Sequence, residues 1–157
     1  MQTQYSLDNE FGYLEKNWGT SFPESYFWLH AVDPKNPSVS LLMSQAEIKW
    51  IGKKFIKHVG HFRFDGLHID LRELKKGIIS TQQINKEQSI INLSSKVIQL
   101  EILITKGNKI LLKGPNDGNL LIDIPHHTDA LMEVCLSQNN KTRRFQLVGN
   151  FESIGRL

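Results

Sequence analysis

The chemically most suggestive residues lie near the start of the chain, in residues 12–23. This stretch reads Gly-Tyr-Leu-Glu-Lys-Asn-Trp-Gly-Thr-Ser-Phe-Pro, so Glu15 and Lys16 stand among the rings of Tyr13, Trp18 and Phe22. Charged groups mixed with aromatic rings are more typical of the mouth of a ligand cavity than of a core strand. The alternative is that Glu15 and Lys16 form an exposed ion pair, which is worth ~0–1 kcal/mol.

Three histidines form a second group that could do chemistry. His58, His61 and His68 lie on the two strands of one predicted hairpin, which turns at residues 65–66. Neighbours across a hairpin can contact each other, so His61 and His68 are candidates for a pair. No carboxylate completes a set of three metal ligands with suitable spacing, and a polar outer face of the hairpin explains the same residues.

The remaining reactive residues carry weaker signals. His126 and His127 are adjacent in a loop after a proline, where neighbouring side chains point in opposite directions, so we expect a solvated loop and no metal. Cys135 lies in an alternating apolar stretch and is expected to be a buried thiol. No phosphate-binding glycine loop and no Gly-x-Ser-x-Gly sequence is present, which excludes these two routes to nucleotide binding and to nucleophilic catalysis.

Length and composition define the class of protein that must position these residues. The chain has 157 residues, 39% of them hydrophobic, and a net charge of 19 − 16 = +3. These values predict one globular domain over residues 1–157 and give little support for a nucleic-acid partner. No secretion signal and no long apolar run precedes or interrupts the pattern, so we expect no transmembrane segment and a cytoplasmic protein, either free or peripheral to a membrane.

Hydrophobic residues recur mainly at every second position, which is typical of β-strands. The predicted strands are residues 26–32, 39–47, 53–64, 67–71, 77–84, 88–93, 97–105, 109–113, 128–138 and 141–150. Residues 115–119 and 125–127 are expected to break the chain, and residues 119–124 are helix-like but too short for a stable helix. Gly60 permits a β-bulge. We therefore predict an all-β fold, an antiparallel β-barrel or strongly curled sheet of about ten short strands.

Residues 12–23 resemble a block of the tocopherol cyclase family, Gly-Tyr-Ile-Glu-Lys-Asp-Trp-Gly-x-x-Phe-Pro, which a Tyr-x-Trp strand follows, here residues 26–28. The resemblance continues through residues 42–43, 51–55 and 111–118 and closes at residues 145–149. It covers the C-terminal half of the family. It implies lipocalin-like β-barrel halves around an apolar cavity, of which this chain supplies one. The chain is then a fragment, half of a split protein that pairs with a separate N-terminal half, or a stand-alone relative that forms a homodimer.

The resemblance also implies an activity, the acid-catalysed cyclisation of a prenylated quinol to a chromanol. Glu15 is the implied acid, with His30 or His58 as further proton donors, and no cofactor is expected. The implied ligand-binding residues are Tyr13, Trp18, Phe22, Trp28, Met43, Trp50 and Phe55. The family's Asp and Glu are replaced here by Asn17 and Gln146. The first hypothesis is therefore a protein that binds a hydrophobic isoprenoid quinol-type molecule and cyclises it, and the alternative is a non-catalytic lipocalin-like binding or interaction module.

Overall fold

A computed structural model describes residues 13–15, 19–73 and 78–155, without the side chains of Trp50, Glu73 and Ile78. The strands are β1 (Tyr26–Asp33), β2 (Asn36–Trp50), β3 (Lys53–Phe64), β4 (Leu67–Asp70), β5 (Ile78–Gln83), β6 (Gln88–Ser94), β7 (Ile98–Thr105), β8 (Asn108–Asn116), β9 (Asn119–Gln138) and β10 (Lys141–Ile154). A single 3₁₀ turn, Leu71–Glu73, is the one helical element of the described residues. None of these residues forms a helix with the length and apolar character needed to span a bilayer.

All ten strands belong to one antiparallel sheet in the order β4-β3-β2-β1-β10-β9-β7-β6-β5. The sheet is curled and is not closed into a barrel, so the prediction of an all-β curled sheet of ten strands is confirmed. β7 and β8 pair with the same side of the long strand β9. β8 pairs with the first half of β9 and β7 with the second half. The central pair, β1 and β10, joins two strands that lie at opposite ends of the described sequence.

One face of the sheet, here called the core face, carries the hydrophobic core. Its buried residues alternate along each strand, as Phe27 and Leu29 do on β1 and Leu41 and Met43 on β2. The same cluster contains Phe62 from β3 and Ile91 from β6, strands that lie on opposite sides of β1 in the sheet order. Since residues from both halves bury their apolar surface together, hydrophobic burial holds the sheet in its curled form.

Two strands, β9 and β10, depart from regular geometry at the same level, next to the residue that precedes β8. Asp129 on β9 has a φ of 55°, and the register of β9 and β10 shifts between Gly149 and Phe151. Gly107, just before β8, lies so close to the backbone of Thr128 and Asp129 that a Cβ atom there would be 2.6 Å from the carbonyl carbon of Asp129. Bulges and glycines of this kind are the usual means of bending a sheet.

Two of the sequence-based predictions about local structure are wrong. Residues 119–124 are not helix-like and residues 125–127 do not break the chain, because both belong to the 20-residue strand β9. Pro125 is tolerated because its cross-strand partner is Leu111 on β8, while the pairing of β9 with β10 reaches only as far as His126. Gly60 makes no bulge, since the β2–β3 register is continuous there. Instead its missing Cβ allows the backbone of Leu42 and Met43 to approach.

Candidate functional site

A cavity of about 650 Å³ lies against the face of the sheet opposite to the core, here called the cavity face. Its wall contains the rings of Phe22, Tyr26 and Trp28 together with the carboxylates of Glu15 and Glu152. The other lining residues are Gly19, Ser21, Pro23, Ser44, Ala46, Val59, Lys113 and Pro115. A wall that combines aromatic surface with a few converging polar groups is typical of small-molecule sites.

The sheet register places one row of side chains across the floor of this cavity. Val59, Ser44, Trp28, Glu152 and His126 are successive direct partners on β3, β2, β1, β10 and β9. Direct cross-strand partners project from the same face with Cβ atoms about 5 Å apart. Five strands therefore place one continuous row of side chains on the cavity face. Each strand contributes one residue to this row, so the row is not visible in any single stretch of sequence.

Residues 19–25 form the second wall and are fastened to two hairpins. The amide of Gly118 donates to the carbonyl of Thr20 at 2.8 Å, and the amide of Glu47 donates to the carbonyl of Ser25 at 2.9 Å. The Phe22 ring stacks on Tyr26 with ring centroids 5.5 Å apart. These contacts connect the β8–β9 turn to β2 across the cavity. They fix the position of residues 19–25, which have no regular secondary structure.

Glu15 is the polar group at one side of the cavity. Its Oε2 accepts a hydrogen bond from the indole nitrogen of Trp28 at 3.0 Å and another from the hydroxyl of Tyr13. The Tyr13 ring stacks on His30 with centroids 4.1 Å apart. Burial, and then the hydrogen bond to Glu15, raises the pKa of Tyr13, which therefore remains a hydrogen-bond donor at neutral pH.

Glu152 is the second carboxylate of the cavity, and it has two partners of its own. Tyr26 donates its hydroxyl to Oε2 at 3.1 Å, and Nδ1 of His126 lies 2.6 Å from Oε1. The side chains of Glu152 and His126 are only 14% and 13% exposed, so this contact is largely shielded from water. Burial and the neighbouring carboxylate raise the pKa of Tyr26 above its ordinary value.

The structure brings only some of the sequence-predicted site residues together. Glu15, Phe22 and Trp28 line the cavity. Tyr13 lies beside it, where it donates to Glu15 and stacks on His30. His30 is half-buried, and desolvation lowers its pKa, with a further lowering from His61.

The other sequence-predicted residues lie elsewhere. Met43 is fully buried in the hydrophobic core, and His58 alternates with the lining residue Val59 and so belongs to the core face. Phe55 lies on the cavity face beyond the cavity and is exposed. Trp50 ends β2 next to Lys53, its side chain is not described, and Trp18 is outside the described residues.

Sequence reasoning missed Glu152, Tyr26 and His126 as a connected group. The sequence predicts a solvated loop at His126 because Pro125 indicates a break in the chain, whereas both residues belong to β9. Glu152 lies beyond residue 150, where the sequence predicts the end of the last strand, although Phe151 continues the alternation of Leu147 and Gly149 by period two. Nothing local to these residues indicates that β1 lies beside β10.

The predicted contact between His61 and His68 is confirmed, with ring centroids 5.6 Å apart and an edge-on arrangement. Asp70 lies opposite His61, but its carboxylate is held by Arg72, which lowers the pKa of Asp70 to about 2. Within residues 13–15, 19–73 and 78–155, no three His, Cys, Asp or Glu side chains are grouped for a metal ion.

The chain has no match among protein-family models, curated proteins or solved structures. The family assignment is therefore still a prediction from residues 12–28 and the shorter resemblances that follow them.

Proposed function

We propose that this protein binds a hydrophobic prenylated quinol-type molecule in the cavity and cyclises it to a chromanol. The observation that supports this proposal is the composition of the cavity wall, where the rings of Phe22, Tyr26 and Trp28 stand beside the carboxylates of Glu15 and Glu152. A volume of about 650 Å³ lies within the range of ~300–1,000 Å³ that is usual for small-molecule sites.

The cavity lining has polar and apolar parts, which suit the quinol head and the isoprenoid tail of such a ligand. A quinol hydroxyl is a hydrogen-bond donor and fits the carboxylate oxygens of Glu15 or Glu152. An isoprenoid tail gains free energy by leaving water for apolar surface, which Ala46, Val59 and Pro115 supply in the cavity lining. Lys113 is the one cationic lining residue and lies 2.5 Å from Asp123, so its charge is already paired.

The proposed reaction is an isomerisation with no net change of atoms or electrons. Protonated Glu15 gives its proton to the alkene of the tail, and the phenol oxygen forms a C–O bond to the resulting carbocation. The phenolic proton then returns to the Glu15 carboxylate. Developing positive charge next to the Trp28 ring is stabilised by the electrons of the π-face.

Native mass spectrometry of protein purified from its own host tests the binding step. A retained prenylquinol-like mass is expected in the wild type. Ala46→Phe should remove most of it by filling the cavity, whereas Ser40→Phe, on the same face of β2 but outside the lining, should retain it. An empty wild type that also fails to take up an added prenylated hydroquinone contradicts the proposal.

Turnover separates the binding step from the chemistry. Glu15→Gln keeps the size of the side chain and its ability to accept hydrogen bonds but cannot return a proton, so it should bind the hydroquinone and form no chromanol. A Glu15→Gln variant that forms chromanol as fast as the wild type contradicts the assigned role of Glu15.

A non-catalytic binding protein is the second candidate, and one observation favours it. Both described hydrogen bonds to Oε2 of Glu15 use the carboxylate as an acceptor, and the residue is exposed. A proton donor to an alkene is more effective in a dry site. Under this candidate the wild type retains the quinol unchanged, and Glu15→Gln weakens its binding without affecting any product.

A further inference from the structure

The end of the β2–β3 hairpin projects beyond the rest of the sheet. β1 pairs with β2 only up to Ala46, and β4 pairs with β3 only from His61 onward, so residues 48–57 form a two-stranded ribbon. We call residues 48–59 the β2–β3 tip. Its exposed apolar side chains are Ile48, Ile51, Phe55, Ile56 and Val59. Contiguous exposed apolar surface of this kind is characteristic of interaction sites.

The turn of this hairpin is unlike the others in the molecule. Among the described residues, four two-residue turns have positive φ at both central positions, and three of them begin with Asp65, Asp117 or Asn139, residue types that tolerate this conformation. The fourth begins with Ile51, a β-branched residue at φ 46° whose side chain is 85% exposed. Ile51 therefore combines backbone strain with exposed apolar surface at the apex of the hairpin.

The charge of the tip indicates the kind of partner. Residues 48–59 contain four lysines and no acidic residue. Lys49 and Lys54 pair with Glu24 and Glu47, whereas Lys53 and Lys57 form no ion pair with any described residue. Apolar side chains at an exposed apex with cationic side chains around them match an anionic membrane surface, where the chains enter the acyl boundary and the ammonium groups meet the headgroups.

We propose that the β2–β3 tip docks this protein on the surface of an anionic lipid bilayer, with Ile51 inserted and Lys53 and Lys57 at the headgroups. The same hairpin supplies Ser44 and Ala46, next to the tip, and Val59, at the end of the tip, to the cavity. Docking therefore places one wall of the cavity close to the lipid phase. The proposal itself does not depend on which ligand the cavity holds.

Cosedimentation with vesicles tests the proposal. The wild type should bind vesicles of phosphatidylcholine with about one-third phosphatidylglycerol, bind pure phosphatidylcholine much less, and lose affinity as salt is added. Ile51→Asn should weaken binding about tenfold or more, since it removes an inserted apolar side chain. Lys53→Gln and Lys57→Gln should each weaken it about fivefold.

Stability provides the readout that separates docking from misfolding. Asn tolerates the positive φ of residue 51, so Ile51→Asn should unfold at a higher urea concentration than the wild type while binding vesicles less. Val97→Asn is the matched control, because Val97 is also exposed (61%) but lies at the β6–β7 turn, and its vesicle binding should equal that of the wild type.

Three results would overturn the proposal. The first is wild-type protein that does not bind anionic vesicles, and the second is an Ile51→Asn variant that binds them as well as the wild type does. The third is a wild type that forms a dimer sensitive to Ile51→Asn and shows no vesicle binding, since the tip would then pack against a second copy of the chain.

Discussion

At the scale of single residues, partly buried histidines make the stability of the protein depend on pH. Desolvation lowers the pKa of His30, and also those of His61 and His127. An unfolded imidazole, with a pKa of ~6.5, therefore takes up a proton at a higher pH than the folded one, so the free energy of unfolding falls as the pH is lowered from about 7.5 to 5.5. Asp70, with a pKa of about 2, stays ionised throughout this range.

Urea unfolding at the two pH values measures this effect. His30→Gln removes one of the titrating groups, so the loss of stability on acidification should be smaller in this variant than in the wild type. Equal losses in the two proteins would mean that His30 takes up its proton equally well in the folded and unfolded chain.

Glu152 provides a second prediction at this scale. Its carboxylate accepts from Tyr26 and contacts His126, and its side chain is largely shielded from water. Glu152→Gln removes the charge that holds His126, and we expect a loss of ~1–3 kcal/mol in the free energy of unfolding at neutral pH. Glu133→Gln, an exposed change on β9, should stay within about 0.5 kcal/mol of the wild type. Equal effects of the two changes would argue that the Glu152 contacts add no stability.

At the scale of elements, two glycines lie where the backbones of neighbouring elements approach closely. A Cβ atom at Gly149 would lie 2.6 Å from the Cα of Ala31, and one at Gly107 would meet the backbone of Asp129 equally closely. Each change to Ala should destabilise the protein by ~3 kcal/mol or more, because strand backbone must move to make room. Gly19→Ala, where the nearest such atom is 3.8 Å away, should be nearly neutral in the same urea titration. A neutral Gly149→Ala would show that the two strands can separate without cost.

The same elements show what sequence reasoning can reach. Strands and hairpins were predictable where the signal is local, as in the alternation of β7 and the Asp65-Gly66 turn. Glu15, Phe22 and Trp28 were found because charge and aromatic rings lie close together in sequence. The sequence does not predict β9 as one strand, because the tolerance of Pro125 depends on which strands flank it. Tyr26 and Glu152, 126 positions apart, meet only through the pairing of β1 with β10.

At the scale of the whole molecule, the described sheet is open at both ends of its strand order. β4 and β5 end the strand order, and each leaves one side of its backbone without a partner among the described strands. Such edges favour pairing between copies, so we expect a dimer in light scattering coupled to size exclusion, with its share rising with concentration. Gln82→Lys, an exposed change on β5, should reduce the dimer, whereas Gln99→Lys on β7 should not. A wild type that stays monomeric at high concentration contradicts this prediction.

The central pairing of β1 with β10 also has a consequence for how the protein is made. β1 is synthesised early and β10 late, yet β10 covers one whole side of β1 and brings Glu152 to Tyr26 and Trp28. Contacts so distant in sequence slow folding. During translation, the β1–β4 meander therefore has an unpaired edge at β1 until β10 has been synthesised. The cavity is among the last parts of the molecule to be completed.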